Sequence, residues 1–109
     1  LLPDSQKSLS PHDKIIYVAG FGTQGSVSGV TALEELRLSG ISAVSDFRST
    51  TLKAHLRQAD RLGCHFTLIL GDDEVTKGVA LLRNMESKSQ YDVLLSSLSH
   101  QIQPLLLPS

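Results

Sequence analysis

The chain has 109 residues, of which 40% are hydrophobic, 19% charged and 5% aromatic, with a formal net charge of −1. This balance is typical of one globular domain and excludes a disordered or fibrous chain. The near-zero charge gives no general attraction to polyanions, so any nucleic-acid site must be local. No apolar run approaches the roughly 20 residues that cross a bilayer, so we expect a cytoplasmic protein without a membrane partner.

Residues 1–13 contain two prolines and three serines without periodicity, which predicts a tether, followed by one domain over residues 14–109. Residues 15–19 are compact and β-branched, and they predict a first buried strand. A glycine-rich turn is predicted over residues 20–25. The helix predicted after it ends at Gly40, and its inward stripe has four apolar residues at helical spacing: Val27, Val30, Leu33 and Leu36.

A second strand is predicted over residues 41–45 and a polar turn over residues 46–50. Thr50 or Thr51 can cap a second helix, which ends at Gly63. The inward stripe predicted for this helix is Leu52, Leu56, Ala59 and Leu62.

Residues 65–70 are apolar at nearly every position, which is typical of a central strand covered on both faces. Helices between the strands imply parallel pairing through right-handed crossovers. Two further strands, at residues 79–83 and 91–95, are joined by a short polar connection as a hairpin. A closing helix, ended by Pro104 or Pro108, is predicted from Leu98, Ile102 and Leu105 or Leu106. The predicted fold is α/β, a mixed five-stranded sheet of three parallel strands plus a C-terminal hairpin, with three helices.

Polar residues follow the predicted parallel strands. Ligands of open α/β sheets bind beyond the carboxyl ends of the strands, so Glu74 and the turn over residues 46–49 are candidates for recognition. The acids at residues 72–74 could bind a cation, but a solvated corner is the more common use of such a turn, and we predict no metal site. The single cysteine, Cys64, is predicted to be a small hydrophobe. Because no nucleophile motif is present, we predict no catalytic residue in this chain.

A glycine motif predicts a different use of the same sheet edge. Gly20, Gly22 and Gly25 form G-x-G-x-x-G between a strand and a helix, with Asp46 about 20 residues further on, as in dinucleotide-binding proteins. The motif would place a pyrophosphate at the helix N-terminus and Asp46 on a ribose hydroxyl. Only one βαβαβ half is present, however, so we favour a tight turn and keep dinucleotide binding as the lesser alternative.

The second helix carries a row of cations. Lys53, Arg57 and Arg61 recur at i, i+4 and i+8, and Arg48 precedes them in the turn. Together they predict a local phosphate-contacting stripe, with a solvated helix face as the alternative.

The sequence LKAHLRQADRLGCHFTLILGDDEVTKGVALLRNMESKSQYDV resembles the C-terminal anticodon-binding domain of class II aminoacyl-tRNA synthetases, most of all that of histidyl-tRNA synthetases. Its most specific elements are Ala59-Asp60 and Gly71-x-x-Glu74. The similarity extends over about residues 15–95, whereas the glycine turn and the tail 101–109 depart from the family.

This resemblance implies a domain that binds the anticodon stem-loop of tRNA and does not bind DNA. It also implies a catalytic domain, absent from this chain, that uses ATP and Mg²⁺ to attach histidine to tRNA and forms a homodimer. No cofactor is expected in the present domain. The rival hypothesis is a synthetase-like paralogue that uses the domain for tRNA sensing or protein interaction without aminoacylation.

The related threonine-specific domain can be overlaid on residues 46–83 without gaps. By that similarity Ser49, Glu74 and Arg83 fall at positions that contact anticodon bases. A carboxylate can accept hydrogen bonds from base N–H groups, and an arginine can fork onto a guanine edge. The alternative is structural: Glu74 caps the following turn and Arg83 pairs with it.

Overall fold

Five strands form one mixed sheet in the computed structural model, which describes residues 14–46, 48 and 50–106. The predicted tether at residues 1–13 lies outside the described residues. Strands β1 (Ile16–Gly20), β2 (Ala43–Val44), β3 (Phe66–Leu70), β4 (Val79–Asn84) and β5 (Gln90–Leu94) lie in the order β2-β1-β3-β4-β5. Strand β1 pairs in parallel with β2 and β3, whereas β4 is antiparallel to both β3 and β5. The predicted sheet of three parallel strands plus a hairpin is therefore confirmed.

The described residues contain four α-helices, one more than predicted: α1 (Thr23–Leu38), α2 (Leu52–Leu62), α3 (Asp72–Lys77) and α4 (Leu98–Leu106). A short 3₁₀ helix, Leu95–Ser97, precedes α4. The additional helix, α3, has only six residues and none of them is buried, so it lacks the apolar stripe that reveals a helix in a sequence.

Helix α4 runs through Pro104, so this one of the two prolines predicted to end the helix does not end it. Proline removes one N–H group, which leaves the carbonyl of the residue four positions earlier without its helical partner. That residue is His100, which is exposed, so water can take the place of the lost donor.

The sheet separates two cores. On one face α1, α3 and α4 cover the larger core, which includes Ile16, Val18, Leu68, Leu82 and Ile102. On the other face α2 covers a smaller cluster of Tyr17, Ala19, Ala59 and Cys64. Side chains alternate between the two cores along β1. All five residues of β3 are buried, which confirms the predicted central strand.

Helix α1 packs on the sheet through glycines. Val27 and Val30 were predicted to face inward, but they are 67% and 48% exposed, whereas Gly25 and Gly29 are buried. A Cβ atom on Gly25 would lie 2.3 Å from the carbonyl oxygen of Leu70, so only glycine permits this close approach. The predicted turn over residues 20–25 is accordingly shorter, because α1 already begins at Thr23.

Helix α2 begins and ends as predicted, but a histidine lies in its inward stripe. The Thr51 hydroxyl accepts a hydrogen bond from the N–H group of Ala54 at 3.1 Å, and Gly63 ends the helix at φ 73°. The predicted inward Leu62 is 50% exposed, whereas His55 is 1% exposed. A polar side chain thus occupies the best-covered part of the stripe.

His55 connects α2 to β1. Its Nε2 lies 3.0 Å from the carbonyl oxygen of Gly20, and its Nδ1 lies 2.8 Å from the hydroxyl oxygen of Tyr17. Because a carbonyl can only accept, Nε2 donates to Gly20, and a neutral ring with its proton on Nε2 can accept from the tyrosine hydroxyl at Nδ1. These two bonds satisfy a buried polar ring.

Candidate nucleic-acid interface

Glu74 lies beyond the carboxyl end of β3, in the first turn of α3. Its Oε1 accepts a hydrogen bond from the N–H group of Gly71 at 2.9 Å, and the carboxylate therefore caps α3, as the structural alternative predicted. Within the described residues, Oε2 has no hydrogen-bond partner. Glu74 thus combines a structural contact with one carboxylate oxygen that is free to bind a ligand.

Arg83 lies at the other end of the sheet. It pairs with Thr67 near the start of β3, so it is separated from Leu70, the last residue of β3, by about 10 Å along the strand. The alternative in which Arg83 pairs with Glu74 is therefore wrong. The Nη1 of Arg83 instead donates to Oε1 of Gln90 at 3.1 Å. Its Nε is buried and has no hydrogen-bond partner in the described part of the chain.

Among the described residues, no helix covers the part of the sheet on the Arg83 side. Tyr17, Thr67 and Arg83 are successive partners across β1, β3 and β4 and share a face, which is the face that α2 covers through His55. Helix α2 packs on β1 and β3. On β4 and β5, the six side chains of this face are partly or fully exposed, and we call them the open strip: Val79, Leu81, Arg83, Gln90, Asp92 and Leu94.

The cations predicted on α2 are on its surface. Lys53, Arg57 and Arg61 are all exposed, and among the described residues none of them forms an ion pair. Arg61 makes only a long contact, 3.5 Å, with Oε1 of Gln58. These three side chains, which we call the basic stripe, are free to bind phosphate. They belong to the helix that packs beside the open strip.

Arg48 differs from the other cations because it has an acidic partner. Its Nε lies 3.2 Å from Oδ1 of Asp46, and its backbone N–H group donates to the same oxygen at 3.0 Å. These contacts hold the pKa of the Asp46 carboxyl below its usual value. Of the four predicted phosphate contacts, Arg48 is thus the one whose charge is already partly neutralised. Ser49, the third predicted base-contacting residue, lies outside the described residues.

The glycine motif surrounds an internal carboxylate. Oδ1 of Asp72 accepts hydrogen bonds from the N–H groups of Gln24 and Gly25, both at 2.9 Å, at the start of α1. Gly22 has φ 82°, and a Cβ atom there would lie 2.6 Å from the same oxygen. A dinucleotide pyrophosphate would need these N–H groups. The glycines therefore admit Asp72 and the backbone of β3, which accounts for the motif without a cofactor.

Two polar residues near these positions, His55 and Gln90, were not predicted from the sequence as parts of a site. His55 lines a cleft of about 90 Å³ between α1 and α2, together with Ser45, Asp46 and Thr50. Its spacing of i, i+4 to Ala59 was the available signal, but Leu52, Leu56 and Leu62 already completed an apolar stripe with Ala59 in the sequence. Gln90 had no signal at all, because its contact with Arg83 depends on the register of the hairpin.

Cys64 and the acidic turn show no feature of a reactive or metal-binding site. Cys64 is 5% exposed, and burial raises the pKa of its thiol to about 11, which confirms the predicted small hydrophobe. In the part of the chain that the structure describes, no three His, Cys, Asp or Glu side chains are positioned to hold a metal ion. No helix in that part is long and apolar enough to cross a membrane.

Two solved structures with a similar fold come from aminoacyl-tRNA synthetases. The apo histidyl-tRNA synthetase of S. aureus superposes with a TM-score of 0.74 at 28% identity, over 84% of this chain and 27% of that one. The RNA-binding domain of threonyl-tRNA synthetase from Cryptosporidium parvum Iowa II has a TM-score of 0.73 over 90% of this chain and 24% of that one; at 18% identity this likeness shows the fold alone. The fold is thus shared with one part of a histidyl-tRNA synthetase.

Sequence comparison identifies the family. Residues 30–105 match the family described as the anticodon binding domain, and the chain belongs to this family. The histidine–tRNA ligase of Caldicellulosiruptor saccharolyticus is 38% identical over 101 residues, which are 90% of this chain and 24% of that protein. The chain therefore spans about a quarter of the length of this curated relative. The resemblance noted in the sequence is confirmed.

Proposed function

We propose that this domain binds the anticodon loop of a tRNA and that its parent protein is a histidine–tRNA ligase. The observation that carries the proposal is the open strip, a sheet surface that no described helix covers and that lies on the same face of the sheet as α2, whose exposed side carries the basic stripe. Family membership and the ligase relatives support the same reading.

The two surfaces suit the two parts of a single-stranded loop. Phosphates carry charge without sequence information, and the exposed Lys53, Arg57 and Arg61 can neutralise them. Bases in a loop are unstacked and expose their edges, and the open strip offers aliphatic surface at Leu81 and a guanidinium at Arg83. The basic stripe would hold the backbone while the strip contacts the bases.

Glu74 and Arg83 would read different nucleotides. They lie at opposite ends of the sheet, so one base cannot contact both. At Glu74 the carboxylate oxygen that does not cap α3 can accept from a base amino or ring N–H group. At Arg83 the guanidinium can donate to O6 and N7 of guanine. Ser49 is retained as a third base contact on the basis of the resemblance alone.

The remaining chemistry would belong to other parts of the parent protein. We propose that a separate catalytic domain binds ATP and Mg²⁺, attaches histidine to tRNA and forms a homodimer in the cytoplasm. The role of the present domain would be to position the tRNA by its anticodon. No residue of this chain is assigned a catalytic role.

Binding to short RNAs tests the proposal directly. We expect the chain to bind an anticodon stem-loop carrying GUG about tenfold or more tightly than the same stem-loop with another anticodon, the discrimination typical of one good base contact. Fluorescence anisotropy with labelled RNA measures both affinities. A duplex of the same length without the loop serves as the control. Equal affinity for the duplex and the GUG loop would contradict anticodon recognition.

The paralogue hypothesis requires a different measurement. The full-length protein should charge tRNA with histidine if it is a ligase, whereas a sensing paralogue would bind the anticodon loop without charging. The dinucleotide alternative is tested separately by calorimetric titration of the chain with NAD. We expect no heat of binding, because Asp72 holds the N–H groups that a pyrophosphate would need.

A further inference from the structure

We infer that Gln90 is a positioning residue for base recognition by Arg83, an inference that rests on the proposed function. Gln90 is the direct cross-strand partner of Arg83, and both side chains belong to the open strip. The 3.1 Å bond from Nη1 of Arg83 to Oε1 of Gln90 orients the guanidinium within that surface.

Apart from Gln90, no described residue forms a hydrogen bond with the guanidinium of Arg83. Thr67 lies opposite Arg83 on β3, but its hydroxyl donates to Sδ of Met85 at 2.9 Å. The Nε of Arg83 is buried without a partner among the described residues. Gln90 is therefore the one hydrogen-bond partner of this side chain within the part of the chain that the structure describes.

The physical effect of such a contact is preorganisation. An arginine side chain has many rotamers, and a base contact that must first order them loses part of its binding free energy. Because the amide oxygen of Gln90 fixes one nitrogen, the remaining donors are already directed when a base arrives. The fixed array of N–H groups matches the two acceptors of guanine but meets the amino group of adenine with a donor. Gln90 thus strengthens the preference for guanine while leaving phosphate contacts unchanged.

Substitution of Gln90 separates this role from general RNA binding. We expect Gln90→Met, which removes the acceptor but keeps the length of the side chain, to lower the ratio of affinities for GUG and altered stem-loops about fivefold, the lower end for one base contact. Gln90→Glu keeps an acceptor for Arg83. Its added negative charge should weaken the binding of both RNAs alike and preserve the ratio of their affinities.

A matched control exists on the basic stripe. Oε1 of Gln58 accepts from Arg61 in the same chemical pairing, although at 3.5 Å. Gln58→Met should leave the affinity ratio unchanged, because Arg61 is assigned to a phosphate. Thermal unfolding of all three variants checks that the domain remains folded, which the exposed position of Gln90 favours.

The outcomes distinguish this inference from the proposed function. A wild-type chain that shows no preference for the GUG loop would overturn both. A wild-type preference that Gln90→Met retains in full would overturn the positioning role alone. If Gln90→Glu lowered the ratio of affinities as much as Gln90→Met, the positioning role would also be contradicted, since the retained acceptor would then have no effect.

Discussion

At the scale of single residues, Glu74 has a structural and a proposed recognition role in one carboxylate. Its Oε1 caps the N–H group of Gly71, and Oε2 has no partner among the described residues. A substitution that removes the whole carboxylate therefore changes stability and recognition together. The two roles need different replacements.

Glu74→Ala should lower the free energy of unfolding by about 1 kcal/mol, because the Gly71 N–H group loses its cap. Glu74→Gln keeps an oxygen acceptor at the same position and should retain most of that stability. Urea unfolding of both variants gives the comparison. Equal stability of the alanine and glutamine variants would mean that the cap contributes nothing.

Substitution of Arg83 should reduce base recognition without a comparable loss of stability. Among the described residues its side chain forms a single hydrogen bond, and its buried Nε has no partner. Arg83→Ala should reduce the ratio of affinities for the GUG and altered stem-loops by about tenfold. Anisotropy titrations of both RNAs measure this ratio. If both affinities fall by the same factor, Arg83 does not read a base.

The buried thiol of Cys64 makes the free energy of unfolding depend on pH in the alkaline range. Burial raises the pKa of its thiol from 9.0 to about 11, so the folded state holds the proton more tightly than the unfolded chain. This contribution is fully present below about pH 9 and is lost as the pH rises through about 11. We expect the stability difference between the wild type and Cys64→Ala to shrink over that interval in urea unfolding. A constant difference would contradict the shift.

At the scale of elements, Asp72 connects two helices that are distant in the sequence. It belongs to the first turn of α3 and accepts two N–H groups from the start of α1. Negative charge is favoured at a helix N-terminus, so this contact stabilises α1 as an ordinary N-cap would. The capping carboxylate, however, belongs to another helix.

Asp72→Ala should therefore lower the free energy of unfolding by about 1–2 kcal/mol, as the loss of a helix cap does. Asp73→Ala is the matched control, because Asp73 is a neighbouring exposed acid in the same turn. The control should stay within about 0.5 kcal/mol of the wild type. Similar losses in the two variants would show that the charge of α3 matters and the contact with α1 does not. Thermal or urea unfolding gives both values.

How far the sequence predicts these elements depends on what each one buries. The strand β3 and the ends of α2 were predicted because an apolar run, Thr51 and Gly63 express their structure locally. The inward face of α1 was predicted only in part: Leu33 and Leu36 are buried as expected, but the first turns pack through glycines, which carry no hydrophobic signal. The separation of Glu74 from Arg83 follows from the pairing of β3 with β4, and a register between strands is not encoded in either strand alone.

At the scale of the whole molecule, the balance of charge makes RNA binding depend on one region. The net charge is −1, so the phosphate contacts proposed for the basic stripe would form without help from the rest of the surface. Each phosphate contact contributes about one unit to the dependence of affinity on salt.

Charge reversal by Arg57→Glu with Arg61→Glu should weaken binding to the GUG and altered stem-loops alike. It should also reduce the slope of log affinity against log salt concentration by about 2. Lys14→Glu with Lys77→Glu is the control, since it makes the same change of net charge outside α2 and the open strip. Anisotropy at several salt concentrations gives the slopes. If the control weakens binding as much as the reversal on α2, only the total charge matters.

The strand order also sets a sequence of events in time. β1 has only two residue pairs with β2 but five with β3, which is synthesised after both α1 and α2. At about 5–20 residues per second, a ribosome needs roughly several seconds to produce that stretch. For this interval the apolar Ile16–Gly20 segment emerges with most of its backbone hydrogen bonds unmade, whereas the β4–β5 hairpin can close from neighbouring residues. Of the five described strands, the first to be made is thus secured late, and we expect nascent chains to be most prone to associate with one another before Phe66–Leu70 is synthesised.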